Sequence, residues 1–367
     1  MSFGARARIR LGALEHNLSV IRAVAPEARV MAVIKANAYG HGLVPVAKHL
    51  EDADSFAVAR ITEAIELRAA GVVQPVVLLK GVVSAEEFAL ASAHNLELVV
   101  HCREQIELLQ SHPDDALTVW LKFDTGMNRL GFAPSEAATL IAEVRDLPAV
   151  RELRLMTHLA DADTPDSPAT AAQLAQFRDV AADFDGAASI ANAPAVLDLE
   201  DIRDAPDLFG FRGEHWIRPG IALFGISPFE HRSAADLGLQ PVMQFEALLI
   251  AKKRLAAGAR VGYRGRFVSD TETTLGIISA GYGDGYTRHF RDGTPVLING
   301  RRVALIGNVS MDMIAVDLGL HSQDQVGDIA TLWGDGLPVE EVAPWADAIP
   351  YELVCGVMNR EASEIVD

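Results

Sequence analysis

Cysteine is scarce in this 367-residue sequence: Cys102 and Cys355 are the two that occur. A disulfide framework or a cysteine-based zinc site needs more thiols at closer spacing, so no metal centre is expected. The pair reads as free thiols in a reducing compartment. Long hydrophobic runs are lacking too. The opening stretch "MSFGARARIRLGALEHNL" holds no continuous apolar segment of the signal-peptide kind, and nothing further on is long enough to cross a bilayer. A cytoplasmic location with no membrane partner is the expectation. Positive charge is in deficit: 32 Lys and Arg stand against 50 Asp and Glu, a net charge of −18. Such a surface repels nucleic-acid phosphates, which excludes that class of partner and leaves solubility as the use of the charge. No early G-x-G-x-x-G follows a strand either, which counts against a doubly wound dinucleotide-binding sheet.

What is present is globular, with half of the residues hydrophobic, and the length favours two domains over one core. Up to about residue 225 short apolar runs alternate with amphipathic stretches. "RVMAVIK" (29–35), "SFAVAR" (from 55), "PVVLLKG" (75), "LELVVH" (96), "LTVWLKFD" (117), "RELRLMTHLA" (151), "AASIANA" (187) and "WIRPGIALFG" (216) read as buried strands. Between them, "LEHNLSVIRAV" puts Leu14, Leu18 and Ile21 on one helical face. "TEAIELRAAG" closes on glycine, and "PSEAATLIAEVRD" opens with the Pro, Ser and Glu of a helix start. The spacing suits βαβ units, and eight of them predict an α/β fold: an N-terminal (β/α)8 TIM-like barrel over residues 10–229. After about residue 230 strands separated by Gly, Asn and Asp turns take over, as in "MQFEALLIAKKRL", "TPVLINGRRVALIG" and "VGDIATLWG". They predict a C-terminal mostly-β domain of residues 230–367, to which residues 1–9 are added.

The C-terminal ends of the barrel strands all face one way, and sites are built there. Here they carry Lys35, Lys122 with Asp124, His158, Asn192 and Arg218. One polar strand end is an ordinary solvated rim residue; five together predict a site. A buried lysine loses pKa and can attack a carbonyl to form a Schiff base, the linkage that pyridoxal phosphate uses. The small, glycine-bearing "IANAPA" and "RPGIALFG" lie where barrels hold phosphate. An aldolase-like barrel would share these features, and Lys35 alone does not separate the two.

Longer motifs add a resemblance. "MAVIKANAYGHG" resembles the cofactor-lysine motif of the alanine racemases, fold-type III pyridoxal-phosphate enzymes. "LKFDTGMNRLGF", "THLADAD", "RPGIALFG", "GYGDGY", "VSMD" and "PYELVCG" resemble that family's further motifs in the same order. The resemblance implies interconversion of L- and D-alanine, supplying D-alanine for peptidoglycan, with pyridoxal 5'-phosphate as cofactor and alanine as substrate. It also implies a homodimer. Lys35 would carry the cofactor and act as base on one face of the substrate. Tyr282, lent across the dimer interface, would be the base on the other, assisted by a chain through His158 to Arg218. Arg218 would face the pyridine nitrogen. Tyr39, Asn192 and the backbone at Gly220 and Ile221 would help to hold the cofactor. Arg129 and the partner's backbone at Met311 would hold the substrate carboxylate, and Lys122 matches the family's carbamylated lysine, an ion pair with Asp124 or Glu152 being the alternative. His41 reads as a residue closing the turn after Tyr39. Asp312 reads either as support for the tyrosine or as a local partner.

Three departures from the family's pattern stand out. Ala193 replaces a Ser, Asn308 replaces an Arg, and Asn359 stands where some members place a phosphate-contacting Tyr; the tail also lacks the usual R-V-P-R. They imply weaker cofactor retention and tolerance of a slightly larger substrate such as serine, hence a broader alanine/serine racemase as an alternative. A fold-type III decarboxylase is a further alternative, with Cys355 as its only candidate thiol.

Overall fold

The computed structural model describes residues 4–182, 184–199, 212–358, 360 and 363–366. Asn359 lies outside the described residues. Strand β1 (Arg6–Arg10) leads into a helix, Leu11–Val24, whose buried face carries Leu14, Leu18 and Ile21. Eight parallel strands follow: β2 (Arg29–Val33), β3 (Ser55–Val58), β4 (Val76–Leu78), β5 (Glu97–Val100), β6 (Leu117–Lys122), β7 (Val150–Met156), β8 (Ala188–Asn192) and β9 (His215–Arg218). They pair in chain order and close, β2 against β9, into a barrel with helices outside. The expected (β/α)8 fold is what forms. Most of these strands are buried along their whole length, as a sheet covered on both faces requires.

Side chains two apart on a strand share a face, so Trp120 and Lys122 on β6, and Trp216 and Arg218 on β9, lie on one face of their strands at successive levels. At the lower level the Trp120 indole N–H donates to Glu97 at 2.7 Å, and the Arg154 guanidinium reaches the same carboxylate at 3.5 Å. Arg154 also lies 5.1 and 5.0 Å from the rings of Trp120 and Trp216. This plug closes the bottom of the barrel and leaves the upper level for chemistry.

The second unit comprises β10 (Met243–Leu255), the short pair β11 (Arg260–Val261) and β12 (Phe267–Val268), then β13 (Thr273–Ile278), β14 (Pro295–Ile298), β15 (Arg301–Leu305), β16 (Ile314–Asp317), β17 (Ile329–Trp333) and β18 (Glu364–Val366). β10 pairs with β17 through its first half and with β13 through its second, so β10, β13, β16, β15, β14 and β17 close on themselves. β1 and β18 extend this sheet on the other side of β10. The chain therefore begins in the β unit before it enters the barrel. Strands β1, β16 and β18 carry no apolar run long enough to stand out in the sequence.

Candidate active site

β2 ends at Val33, and Lys35 opens a tight turn rather than closing the strand. Ala36, Asn37, Ala38 and Tyr39 all take left-handed backbone angles, with φ of 55, 55, 52 and 52°, and Gly40 continues at 82°. L-residues resist this conformation by about 1–2 kcal/mol each, so the surroundings must enforce it. Several contacts do. Glu63 accepts the Ala36 amide at 2.7 Å, and the Asn37 side chain accepts the Leu43 amide at 2.9 Å. A Cβ on Gly40 would sit 2.1 Å from the Val354 carbonyl, so the turn packs directly against the β unit. The buried His41 ring is stacked 4.4 Å from Phe224 and bonded to the Tyr39 carbonyl at 2.9 Å; burial holds its pKa down at about 4. His41 thus closes the turn as a neutral ring.

Beside this turn the Tyr39 side chain is closely surrounded. The Tyr39 ring packs 5.0 Å from Phe224 and 6.1 Å from Tyr351, and burial raises the pKa of its phenol. A Cβ on Gly220 would stand 2.6 Å from the Tyr39 hydroxyl. Ile221 starts a one-turn 3-10 helix, whose first amides lack partners within it. On β8, Asn192 donates to the Leu159 carbonyl at 3.1 Å and caps the next helix through the Ala195 amide. Ala193 follows it, buried and without a hydroxyl to offer.

Four cationic side chains share the mouth. Arg218 is 4% exposed and has no carboxylate partner among the described residues: it donates to the carbonyls of Thr157 (2.6 Å) and Ile190 (3.2 Å) and to the Ser189 hydroxyl (2.5 Å). Burial lowers its pKa to about 9, which still leaves it charged. It also donates to His158 Nδ1 at 3.3 Å. Burial first, then the charges of Arg218, Lys122, Arg129 and Lys35, hold His158 down to about 2, so its ring is neutral. Lys122 is 7% exposed, and burial with the charges of Arg218 and Arg129 brings its amine to about 8. Neither acid named as its ion-pair partner is committed to it. Asp124 accepts the backbone amides of Gly126, Asn128 and Arg129, and Glu152 grips Arg154. Lys35 has its pKa lowered chiefly by burial, then by Arg129.

Tyr282 and Met311 are elsewhere. Both belong to the β unit, where the Tyr282 amide donates to the Ser310 carbonyl and the Gly283 amide to the Met311 carbonyl. Their side chains are 40% and 53% exposed, and among the described residues no hydrogen bond or ring contact ties the Tyr282 side chain to the barrel mouth. Arg360 bridges Asp312 at 2.7 Å and Asp284 at 3.3 Å, so Asp312 helps to brace the tyrosine turn. Asn308 holds the neighbouring hairpin, bonding the Tyr263 carbonyl at 3.0 Å and Arg266 at 3.4 Å. Sequence reasoning passed over Tyr351 and Glu63. Tyr351 lay within "PYELVCG", and Glu63 looked like any first-turn glutamate.

A closed barrel with a desolvated lysine and a buried arginine at its mouth, joined to a β unit with an exposed tyrosine, defines the class: a (β/α)8 barrel with a second, mostly-β unit and a cationic mouth. Comparisons narrow the class to a family. Residues 9–228 match the alanine racemase N-terminal domain, and residues 242–365 match the alanine racemase C-terminal domain. The alanine racemase of Aeromonas hydrophila is 46% identical over 362 residues, covering 98% of this chain and 99% of that protein. The biosynthetic alanine racemase of Escherichia coli K12 is 44% identical over 358 residues, 97% of each chain. The crystal structure of biosynthetic alanine racemase from Pseudomonas aeruginosa superposes with a TM-score of 0.93 at 42% identity, covering all of both chains. The chain belongs to the alanine racemase family.

Proposed function

We propose that this chain interconverts L- and D-alanine, supplying the D-enantiomer for peptidoglycan from the cytoplasm, as a homodimer that uses pyridoxal phosphate. The observation that carries the reading is Lys35, desolvated at the barrel mouth on a strained turn whose Tyr39 hydroxyl packs against Gly220. Pyridoxal phosphate, when bound, withdraws electrons from the substrate and acidifies its α-C–H. Lys35 would hold its aldehyde carbon, Tyr39, Asn192 and the Gly220–Ile221 backbone would take the phosphate side, and Arg218 would meet the ring nitrogen.

Inversion at one carbon needs a base on each face. Lys35 is suited to one face, because burial makes its amine easier to deprotonate. Tyr282 of a partner subunit serves the other. Its exposure beside Met311 and Met313 supports that reading, since a wet apolar patch of this kind marks an interface. Neutral His158, bonded to Arg218, would relay the phenol proton. Arg129 would bind the carboxylate, with the partner's backbone at Met311 opposite it. A carbamate on Lys122 would place an anion among Arg129, Arg218 and Lys35, which the bare amine leaves uncompensated. We place the domain division at 229/230, with residues 1–9 in the β domain; the pairing of β1 with β10 supports it.

The test is solvent deuterium at the alanine α-carbon. Native protein should exchange both enantiomers, whereas Tyr282→Phe should lose exchange from one and keep it from the other. Loss from neither would exclude Tyr282 as a base. The decarboxylase alternative rests on Cys355, whose thiol is pushed up by burial and kept neutral. CO2 release with no opposite enantiomer of the amino acid formed would establish it in place of racemisation.

A further inference from the structure

Glu63 belongs to the helix Ile61–Ala69, and two of its hydrogen bonds are those of an ordinary helix start. Its Oε2 accepts the amides of Ala59 and Arg60 at 3.0 and 2.9 Å, which satisfies the local cap. Oε1 does something else. It accepts the Ala36 amide, 27 positions away, in the shortest of the three bonds at 2.7 Å. Ala36 immediately follows Lys35 and is the first of the left-handed residues. One carboxylate therefore joins the ends of β2 and β3 at the lysine.

The charge of Glu63 is unusual for its place. Lys35 feels Arg129 and Lys80 as repelling cations and Glu63 as an attracting anion, the neighbouring Cys355 being kept a neutral thiol by burial, and it in turn depresses Lys122 and His158. Among the described residues, Glu63 is the carboxylate that acts most on Lys35. Without it, the amine would face the cations Arg129 and Lys80 without that balancing charge.

We propose that Glu63 is the positioning residue of Lys35: its carboxylate fixes the backbone from which the lysine projects and supplies the anion that balances the cationic mouth. This rests on the reading of Lys35 as the cofactor lysine and extends it by naming what sets that lysine's geometry and charge.

The test uses the full-length protein freed of cofactor and follows the rate at which Lys35 captures added pyridoxal phosphate, read by absorbance across pH. Capture requires the neutral amine, so its midpoint reports the pKa of Lys35. Removing an anion favours the neutral amine. Glu63→Gln should therefore move the midpoint down by about half a unit or more and slow capture at its plateau. Glu63→Asp keeps the charge on a shorter arm: the midpoint should stay close to native while the plateau rate falls. A cap without influence on Lys35 would leave both midpoints unmoved, and that result, or an upward shift in Glu63→Gln, would overturn the proposal. Should native protein capture pyridoxal phosphate at some other residue, the cofactor-lysine reading falls and takes this inference with it. Capture at Lys35 with coincident profiles removes Glu63 alone.

Discussion

One methyl group on Gly220 would occupy the space of the Tyr39 hydroxyl, since its carbon would lie 2.6 Å from that oxygen. Gly220→Ala should weaken pyridoxal phosphate binding about tenfold or more without unfolding the barrel, measured by cofactor loss on dialysis. In a Tyr39→Phe background the same change should add little, because the clash has gone with the hydroxyl. Arg218 makes a second case at this scale. Its buried charge, facing the pyridine nitrogen, would keep that nitrogen unprotonated and restrain the substrate carbanion from spreading into the ring. Arg218→Glu should raise the share of turnovers that end in transamination, seen as pyruvate formed from alanine. An unchanged product ratio would remove that role. Among single residues, chemical type was legible in the sequence wherever a polar group closed an apolar run. Lys35, Lys122, His158 and Arg218 announced themselves that way. Tyr351 and Glu63 did not, because a tyrosine and a glutamate on amphipathic helices look the same whether they face solvent or a site.

Among elements, the turn from Lys35 to Gly40 decides the most. Little in "KANAY" favours left-handed angles: Asn37 tolerates them, but alanine and tyrosine avoid them, and the contacts with Glu63, Leu43, Phe224 and Val354 help to hold the run in place. Such tertiary enforcement has no local signature, which is why a strand running straight to Lys35 was the natural expectation. Gly40→Ala would combine φ of 82° with a 2.1 Å approach to the Val354 carbonyl. It should destabilise the protein by about 3 kcal/mol or more, read from urea unfolding. The barrel plug gives a contrasting case. Glu97→Gln would remove the more buried of the two carboxylates beside Arg154, leaving the Glu152 pair at 2.6 and 2.7 Å, at a cost of about 1 kcal/mol in the same assay. That loss should leave alanine binding unchanged, since the plug lies below the site. The barrel itself was readable from periodicity, because parallel strands buried on both faces are near-continuous apolar runs. β1, β16 and β18 escaped because short or half-exposed strands carry polar residues.

For the whole molecule, acid stability follows from three buried histidines. His41, His158 and His215 are held by burial near pKa 4, 2 and 4, against an ordinary 6.5. Between those values the unfolded chain binds protons that the folded chain refuses, so stability falls as pH drops below 6.5. The slope is about 1.4 kcal/mol per pH unit for each ring. Urea midpoints should decline steadily from pH 6.5 to 4.5, and His41→Phe should flatten that decline. A flat profile in the native protein would mean that the rings are solvated.

The largest claim at this scale is that one site draws on two chains. Tyr282 stands exposed on the β domain, while Lys35, Lys122, His158 and Arg218 sit together at the barrel mouth. In a two-fold dimer, mixing Lys35→Ala with Tyr282→Phe protein builds hybrids in which one site carries both changes and the other carries neither. The decisive measurement is racemisation after the two inactive variants are mixed in equal amounts and allowed to exchange subunits. The account predicts recovery toward about a quarter of native activity, the share of sites left intact by random pairing. Activity that stays at the sum of the two parents would place both bases on the same chain and contradict it.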